Sequence, residues 1–475
     1  MTSRRDFLWT TSLGGALGFA SEGRTAVAGA EPAKGTVPLT GQAGDYDVVV
    51  VGGSCTGVFA ALRAAEAGLK VALIEMSGGF GGTATQGLVP IWHSLYTTDG
   101  KRPIIGGLTA SVEQELMRRG EAKFLRANVP SSDVLLNIAG LQLLLDELVL
   151  KTGRITPFLH TRVAAAECDR KGHVSAVIVA DKAGLRRVRG KFFIDATGDA
   201  DVCRYAGLAT WTFPKEQLQA HTLCALLAGV PGIRAKYPKF NLGRIMRPEY
   251  GAKLTHVFGW DAPIVGAEKL TFLAYTRIST CDPSIPEDLT HAEIEGRAQL
   301  RRIVDAVNRA FPMPEGQKLT LVAVAPHVGL RESCHIHGLY KVTGEDILYG
   351  RHFDDAIAYG SYRVDIHEGA GITFRYLDGR EARQIATPKG VSAWKHGYWR
   401  KPTDKMPTWY EIPYRTIVPE GAENVLAPGR MLDCTRDAFG ACRVMVNCNQ
   451  LGEAAGRAAA RALTARLPAA QAYVK

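Results

Sequence analysis

Two stretches of the sequence carry side chains able to transfer protons or to bind an anion. Arg331, His335 and His337 occur together within residues 329–346, and Arg443 occurs near the C-terminal end. Alternate residues of a strand share one face, so His335 and His337 could serve as a base and its orienting partner, or bind a substrate together. The plainer interpretation is one structural and one exposed histidine. Arg443 could hold an anionic substrate or form a structural salt bridge.

A second pair of polar residues has the same spacing. Asp365 and His367 lie two residues apart in the sequence VDIHEG and could form a similar pair. His335, His337 and His367 could also be considered as metal ligands. Their spacing is generic and matches no zinc motif, so we predict no metal site.

Such side chains need a scaffold, and residues 46–75 contain the clearest one. An apolar β-branched run at 48–51 is typical of a strand buried on both faces. A glycine-rich turn follows, and apolar residues at helical spacing continue to Gly68. A second apolar strand, residues 69–74, ends at Glu75. This order of strand, turn, helix, strand and acid predicts one βαβ unit that holds a dinucleotide.

Each small residue of the turn has a physical role. Gly52 allows a tight exit from the strand, Ser54 lets the backbone approach a pyrophosphate, and Gly57 lets the helix lie close to the sheet. The helix N-terminus would bind the phosphates, and Glu75 would accept hydrogen bonds from ribose hydroxyls. The turn departs from GxGxxG at Ser54, which is small enough to keep the prediction. Its residues are Gly52, Gly53, Ser54, Cys55, Thr56 and Gly57.

Composition limits the class of protein. The chain has 475 residues, of which 46% are hydrophobic and 22% charged, as in a globular protein of two or three domains. The formal net charge of +10 could favour anionic partners or simply reflect a solvated basic surface. We predict no nucleic-acid partner, because the sequence contains neither a long Lys/Arg block nor an RNA-binding motif.

The first residues are predicted to be an export signal rather than part of the fold. Arg4 and Arg5 begin a twin-arginine pattern, and a modest apolar stretch with small-residue cleavage sites follows. We therefore expect a Tat signal peptide over residues 1–30, a linker over 31–44 and a periplasmic location. The apolar stretch is shorter than the ~20 residues that cross a bilayer, so we predict no transmembrane segment.

The pattern of the remaining chain predicts a fold of two parts. Alternating residues predict a three-stranded meander, and a separate short buried strand after it. The predicted strands are 162–168, 173–180, 185–189, 192–194, 319–325, 411–419 and 425–428, and the predicted helices are 108–120, 136–150, 289–311 and 452–466. We expect a dinucleotide-binding domain over 45–207 and 411–466, a domain inserted over 208–410, and a tail over 467–475.

Five stretches together resemble a known family. They are the 47–75 unit, the glycine loop at 81–85, the segment IDATGDAD at 194–201, the segment at 329–346 and the tail at 423–460. The chain resembles FAD-dependent oxidoreductases of the two-dinucleotide-binding-domain class, in the neighbourhood of fumarate reductase and succinate dehydrogenase flavoproteins. The resemblance implies an α/β fold: a Rossmann-like FAD-binding domain with a three-stranded meander and an inserted α+β substrate domain.

The resemblance also implies which residues bind FAD. The glycine turn would bind the pyrophosphate, Glu75 the ribose, and the backbone of Val163 the adenine. A helix starting near Asn449 would point its N-terminus at the flavin, where reduced flavin carries negative charge. The residues predicted to contact FAD beyond the glycine turn are Glu75, Met76, Gly82, Thr83, Val163, Ala196, Thr197, Gly198, Gly429, Arg430, Asn449, Leu451 and Gly452.

Three functions follow from the resemblance. The first is an exported FAD-dependent dehydrogenase that oxidises a small polar metabolite, with electrons passing to a quinone, a cytochrome or oxygen, since NAD(P) is scarce outside the cytoplasm. The second is reduction of an activated double bond, with Arg331 and Arg443 clamping a carboxylate. The third is a flavin-bearing electron-transfer or binding partner. His93 follows the glycine loop and could approach the flavin or carry it covalently.

Overall fold

A computed structural model describes residues 38–126, 133–243, 254, 259–369, 371–387, 390–402 and 405–474. Residues 39–475 form one compact unit. The predicted signal peptide and the linker as far as residue 37 lie outside the described residues. Among the described residues, no helix combines the length and the apolar character needed to cross a bilayer. All nine cysteines are free thiols.

The chain alternates short strands with nine described helices. The helices are Cys55–Glu66 (α1), Gly107–Arg118 (α2), Ile138–Lys151 (α3), Asp201–Tyr205 (α4), Val230–Lys236 (α5), Pro286–Ala310 (α6), Gly344–Leu348 (α7), Arg436–Cys442 (α8) and Met445–Ala465 (α9). The strands are Gly41–Val51 (β1), Val71–Ile74 (β2), Ile91–Trp92 (β3), Ala122–Phe124 (β4), Val134–Leu136 (β5), Ile155–Phe158 (β6), Arg162–Arg170 (β7), His173–Asp181 (β8), Gly184–Asp195 (β9), Thr210–Trp211 (β10), Ala225–Ala228 (β11), Trp260–Ile264 (β12), Ala267–Ala274 (β13), Thr320–Val324 (β14), His335–Ile336 (β15), Ala356–Gly360 (β16), Val364–Ile366 (β17), Gly371–Arg375 (β18), Arg380–Thr387 (β19), Gly390–Val391 (β20), Lys395–Tyr398 (β21), Tyr410–Pro413 (β22) and Val425–Leu426 (β23).

The main sheet has a parallel centre of Rossmann type. Its strand order is β6-β2-β1-β9-β8-β7, and β23 pairs with β9. The strands β6, β2, β1, β9 and β23 run parallel, whereas β7, β8 and the first half of β9 form the antiparallel meander. Val48, Val49 and Val50 of β1 are fully buried, as expected for a strand covered on both faces. The predicted α/β fold is therefore confirmed.

The end of the meander differs from the sequence prediction. The predicted strands at 185–189 and 192–194 are one continuous strand, Gly184–Asp195. Gly190 joins them, because a side chain there would place its Cβ 2.6 Å from Val49 of the neighbouring strand. The absence of that side chain lets one strand serve both the meander and the parallel centre. The predicted strand at 411–419 likewise ends at Pro413, where a 3-10 turn, Tyr414–Ile417, begins.

A second hydrophobic core lies in the middle of the chain. The antiparallel sheet β12-β13-β11-β14 and helix α6 share it, with Leu223, Phe272 and Ile303 fully buried. Val342 and Tyr362, by contrast, pack into the same core as β1 and α1. The domain boundaries derived from sequence, with an insertion over 208–410, stay a prediction.

Helices from the two ends of the chain pack directly against each other. A Cβ on Gly452 of α9 would lie 2.1 Å from the carbonyl oxygen of Thr56, and one on Gly456 would lie 2.2 Å from that of Ala60. Only glycine permits such an approach. Arg63 of α1 also forms a salt bridge with Glu453 at 2.6 Å, which joins the helices at their polar edge. The C-terminal helix therefore completes the N-terminal βαβ unit.

We expect Gly452→Ala to destabilise the protein by about 1–3 kcal/mol, because the added methyl group overlaps the Thr56 carbonyl and must push α9 from α1. Alanine is otherwise the better helix former by about 1 kcal/mol, so the overlap decides the sign. Gly232→Ala, inside α5, is the matched control, since the atom nearest to the added Cβ lies at an ordinary contact distance of 3.7 Å. Urea unfolding measures both, and a Gly452→Ala protein as stable as the parent contradicts the packing.

Candidate active site

The glycine turn brings three backbone segments into close contact. Gly52 has a φ of +102°, and a Cβ on it would lie 2.3 Å from the carbonyl oxygen of Ala196. A Cβ on Gly57 would lie 1.8 Å from the carbonyl oxygen of Gly52. Helix α1 starts directly after this turn, and its N-cap, Ser54, makes no side-chain capping hydrogen bond. No acidic residue occupies the first turn of α1, so its N-terminal N–H groups suit an anion.

Glu75 closes the same end of the sheet. It follows β2 and is buried, with an exposed fraction of 8%. One carboxylate oxygen accepts a hydrogen bond from Gly53 N at 2.6 Å, and the other accepts one from Ser77 N at 2.7 Å. A carboxylate has about four acceptor positions, so two remain for the hydroxyls of a ribose.

The glycine loop after Glu75 packs on the turn. Gly81 N donates to Gly53 O at 2.8 Å, and a Cβ on Gly82 would lie 2.7 Å from the Ser54 Cβ. Thr83 is exposed, and Met76 is 53% exposed. Val163 lies further along, buried on β7 and paired with Val179. Their predicted contacts to FAD stay predictions.

The segment after β9 faces the C-terminal part of the chain. Thr197 donates to the buried Asp195 at 2.7 Å, and burial raises the pKa of Asp195 to about 6. Gly198 lies against the guanidinium group of Arg430. A Cβ added to Gly198 would be 3.0 Å from the Cζ of Arg430. A Cβ on Gly429 would lie 3.9 Å from a methyl group of Thr56, at the start of α1. The predicted turns at 52–57, 196–198 and 429–430 therefore meet.

The C-terminal helix begins earlier than the sequence predicts. Helix α9 starts at Met445, because the polar stretch before Gly452 continues as buried helix rather than loop. Asn449 therefore lies inside the helix, Leu451 is fully buried, and Gly452 contacts α1. The prediction that a helix N-terminus lies near Asn449 is wrong.

The N-terminus of α9, at Met445, could interact with negative charge, which is the role predicted for a helix start near Asn449. The N-cap, Val444, makes no side-chain capping bond, and the first turn holds no acid. Gly452 packs on Thr56, so the seven residues back to Met445 carry α9 about 10 Å beyond the start of α1. Two helix N-termini without side-chain caps thus belong to helices that pack side by side, with an offset of about 10 Å along their axes.

A cluster of charged side chains lies beyond the N-terminus of α9. We define the arginine cluster as Arg277, Arg331, Tyr362, Asp365, His367 and Arg443. Arg443 lies between α8 and α9, and one terminal nitrogen is 3.1 Å from Asp365 O and 3.5 Å from Asp365 Oδ2. Gly440 lets α8 approach this strand, since an added Cβ would lie 3.0 Å from Asp365 N. Arg331 donates to Thr222 Oγ1 at 2.8 Å.

The arginine cluster carries more positive than negative charge. Burial, followed by the charge of Arg331, lowers the pKa of Arg277 to about 9, and burial, followed by the charge of Arg443, lowers the pKa of Arg331 to about 10. Both arginines stay charged at neutral pH. Among the described residues, Asp365 is the only carboxylate that forms a hydrogen bond or ion pair with these three arginines.

The charges around Asp365 keep it ionised. Burial alone would raise the pKa of Asp365, but the close contact with His367 and the positive charges of Arg443 and Arg363 outweigh burial and hold the pKa well below its usual value. Burial and the charges of Arg331 and Arg277 hold the pKa of His367 well below its usual value, so the imidazole is neutral at neutral pH.

His93 and Asp133 form a second polar pair beside the cluster. The Nδ1 of His93 lies 3.3 Å from Asp133 Oδ1, and the His93 ring lies 5.4 Å from the ring of Tyr362. The ring of Trp260 also lies beside His93, with the two ring centroids 6.4 Å apart. Burial would raise the pKa of Asp133, but the hydrogen bond from His93 outweighs it and lowers that pKa.

The histidines of residues 329–346 do not form the predicted pair. Strand β15 contains only His335 and Ile336, so the alternation ends before His337, which is exposed. His335 is buried and stacks on Trp211 with ring centroids 4.6 Å apart. Its Nδ1 lies 3.0 Å from Leu432 O. His335 and His337 therefore do not share one strand face, and the plainer interpretation of one structural and one exposed histidine is confirmed. Of the four catalytic candidates, Arg331 and Arg443 alone join the cluster.

Three residues of the site were missed in the sequence. Tyr362 adjoins Asp365 in the dense polar run SYRVDIH, and that density was the available signal. Arg277 is an isolated arginine, and Asp133 is far from His93 in the chain, so neither had a local signal. Among the described residues, no group of three or more His, Cys, Asp or Glu side chains is arranged to hold a metal ion.

The chain is similar to several known proteins. A segment of the chain is 33% identical over 88 residues to dihydrolipoyl dehydrogenase of Trypanosoma brucei brucei. This match covers 16% of the present chain and 18% of that enzyme. A geranylgeranyl bacteriochlorophyll reductase-like protein of Thermoplasma acidophilum is 16% identical, with 90% of this chain and 80% of that chain covered and a TM-score of 0.45. PqsL of Pseudomonas aeruginosa is 14% identical, with 90% of each chain covered and a TM-score of 0.40.

The family itself is shown by a match over most of the chain. The family described as FAD dependent oxidoreductase matches residues 47–473. This match spans the glycine turn, the arginine cluster and α9. The chain belongs to the FAD dependent oxidoreductase family, and its cofactor is FAD.

Proposed function

We propose that this enzyme oxidises a small organic acid that carries a hydroxyl group, and passes the electrons to an acceptor other than a nicotinamide. The observation that carries the proposal is the excess of buried positive charge in the arginine cluster. Among the described residues, Arg443 contacts the carboxylate of Asp365, whereas Arg277 and Arg331 form hydrogen bonds only with neutral groups. A buried charge without a partner costs several kcal/mol, so an anionic ligand would stabilise this site.

The residues present fit FAD. The N-terminus of α1 would hold the pyrophosphate, Glu75 the ribose, and the N-terminus of α9 the flavin. Arg430 lies where the three glycine turns meet and donates to Leu330 O at 3.1 Å, and its Nε has no hydrogen-bond partner among the described residues. When bound, FAD would supply the hydride acceptor, and the protein would supply binding, orientation and proton transfer.

The arginines would hold the substrate carboxylate. One terminal nitrogen of Arg331 donates to both Ala220 O and Thr222 Oγ1, so the other terminal nitrogen and Nε remain as donors for a carboxylate. The Nε of Arg443 is buried and has no hydrogen-bond partner among the described residues. A carboxylate between these two guanidinium groups would compensate the charge and satisfy a buried donor.

His93 is the group best placed to take the hydroxyl proton. Asp133 holds its Nδ1 at 3.3 Å, and in the described part of the chain its Nε2 makes no hydrogen bond. The His93 side chain is 30% exposed, so a substrate can reach it. A base oriented by a carboxylate, with its second nitrogen free, meets the geometric requirement for proton abstraction.

Reduction of an activated double bond is the second candidate. The same arginines would clamp the carboxylate of an enoate, as the narrower resemblance to fumarate reductase flavoproteins implies. The direction of electron flow separates the two. Enzyme reduced with dithionite without oxygen is reoxidised by an enoate under this candidate, and stays reduced with every enoate under the dehydrogenase proposal.

The function is tested with purified, FAD-loaded protein mixed without oxygen with small 2-hydroxy acids. Each acid is paired with the alcohol that lacks its carboxylate. We expect bleaching of the flavin by at least one acid and a much weaker effect of its matched alcohol. Equal bleaching by acid and alcohol contradicts the role given to the arginines, and a flavin that no hydroxy acid reduces contradicts the proposed reaction.

We expect Arg331→Met to raise the KM for the acid by roughly 100-fold, because the carboxylate loses a buried charge partner worth about 2–5 kcal/mol. Arg331→Lys keeps the charge without the planar fork and should have an intermediate effect. The matched alcohol serves as the internal control, since its KM should hardly change. Steady-state kinetics with an artificial electron acceptor measures all four combinations, and a parallel loss for acid and alcohol points to misfolding instead.

His93→Gln should lower kcat by about 10²–10⁴, the range for loss of a general base, with FAD content unchanged. Asp133→Asn should lower it less, because the base remains and only its orientation is lost. His396→Gln, at an exposed histidine, is the matched control. A kcat for His93→Gln within a factor of two of the parent would assign proton transfer to another group.

We also propose export by the twin-arginine route, supported by the sequence pattern at Arg4 and Arg5. The route carries folded proteins, which suits a chain that loads FAD first. Replacing both arginines by lysine should keep the protein in the cytoplasm of a bacterial host that has the Tat pathway. Arg24→Lys, in the same leader but outside the motif, is the control. Cell fractionation that finds the double variant in the periplasm rules the proposal out.

A further inference from the structure

Close polar contacts in the arginine cluster converge on one carboxylate. Arg277 Nη2 lies 2.6 Å from His367 Nδ1, and His367 Nε2 lies 3.0 Å from Asp365 Oδ1. On the other side, the hydroxyl of Tyr362 lies 2.9 Å from Asp365 Oδ2. The main-chain oxygen of Asp365 accepts from Arg443 at 3.1 Å. Donor and acceptor directions along this chain of bonds follow from chemistry.

The guanidinium of Arg277 decides the tautomer of His367. A guanidinium has only donors, so His367 Nδ1 must accept, and its lone pair must be free of a proton. The remaining ring hydrogen of the neutral imidazole then sits on Nε2 and faces Asp365. Asp365 is an acceptor with two oxygens, and the Tyr362 hydroxyl donates to the second one.

The surroundings of Arg277 hold this donor in place. Its main-chain N–H donates to Gln299 Oε1 at 2.7 Å, and Gln299 Nε2 donates back to Arg277 O at 2.8 Å. Its Nη1 donates to Gly371 O at 3.0 Å. Arg277 is therefore fixed by contacts from α6 and β18, two elements distant in sequence from the segment after β13 that contains it. These contacts direct its Nη2–H group toward His367.

We propose that Arg277 is a positioning residue that holds His367 as the neutral Nε2–H tautomer, and thereby keeps Asp365 as the ionised acceptor that orients Arg443 and Tyr362. The placement of the substrate rests on the proposed function, but the tautomer does not. His367 is then no proton-transfer group, because Arg277 and Asp365 occupy its two nitrogens. The charged groups facing it are Arg277, Arg331 and Asp365.

Neutron diffraction on deuterium-exchanged crystals of the FAD-loaded protein tests the tautomer without a variant or a substrate. Deuterium on His367 Nε2 and none on Nδ1 is the expected result. Deuterium on Nδ1, or on both nitrogens at neutral pH, overturns the proposal. Either outcome is independent of which substrate the enzyme uses, so failure here and failure of the proposed reaction are distinguishable.

Substitutions at His367 test the consequence for catalysis. Glutamine carries one acceptor and one donor group and can replace both bonds of the neutral imidazole, whereas leucine replaces neither. We expect His367→Gln to keep kcat within about tenfold of the parent, and His367→Leu to lower kcat by roughly 10²-fold, because Asp365 and Arg443 lose the contact that positions them. Equal and large losses for both variants, in proteins that retain FAD, would identify His367 as the base and overturn the proposal.

Substitutions at Arg277 test whether this residue holds the tautomer of His367. The measurement is the pH profile of kcat/KM. Arg277→Lys keeps a donor that cannot accept, so the profile should keep the parental shape. Arg277→Met removes the donor and a positive charge, so the pKa of His367 should rise and a new ionisation should appear in the profile at low pH. An Arg277→Met profile that matches the parent, in FAD-loaded enzyme, contradicts a positioning role for Arg277.

Discussion

The structure depends on one close contact between the two ends of the chain. The main-chain oxygen of Thr56, in the first turn of α1, lies where a side chain on Gly452 of α9 would be. This contact sets α9 beside α1 and fixes the distance between their N-termini. Both termini lack side-chain caps and acidic first turns. Their partial positive charges are therefore not compensated by side chains of the helices' own first turns.

The arrangement also explains why the charged cluster is where it is. Helix α9 extends beyond α1, and Arg443 lies two residues before its first residue. The cluster therefore lies at the end of α9 that projects past α1. The middle of the chain adds Arg277 and Arg331, and strand β17 adds Asp365 and His367. The cluster therefore carries three arginines and one carboxylate, so positive charge is in excess. Tyr362 donates a hydrogen bond to one oxygen of Asp365, and His367 Nε2 lies 3.0 Å from the other.

Local patterns in the sequence were enough to predict the cofactor-binding unit, but they did not predict which charged groups meet in the arginine cluster. The strand, turn, helix and acid of residues 46–75 follow one another in the chain, so their spacing alone predicts the βαβ unit, and the structure confirms it. The start of α9 was misplaced because Met445–Leu451 reads as a polar loop, yet tertiary contacts bury it as helix. The cluster gathers Arg277, Arg331, His367 and Arg443 from four separate segments, and no local spacing can reveal such a meeting.

The nine free thiols give the fold a further property. All of them except Cys168 are buried, and burial raises the pKa of Cys55, Cys224 and Cys448 to about 12, so the folded protein offers almost no thiolate. An unfolded chain would expose all nine at once. In an oxidising medium these would cross-link at random, and unfolding would become a one-way process. The lifetime of this enzyme in such a medium would then be set by how slowly it opens, not by how readily it refolds.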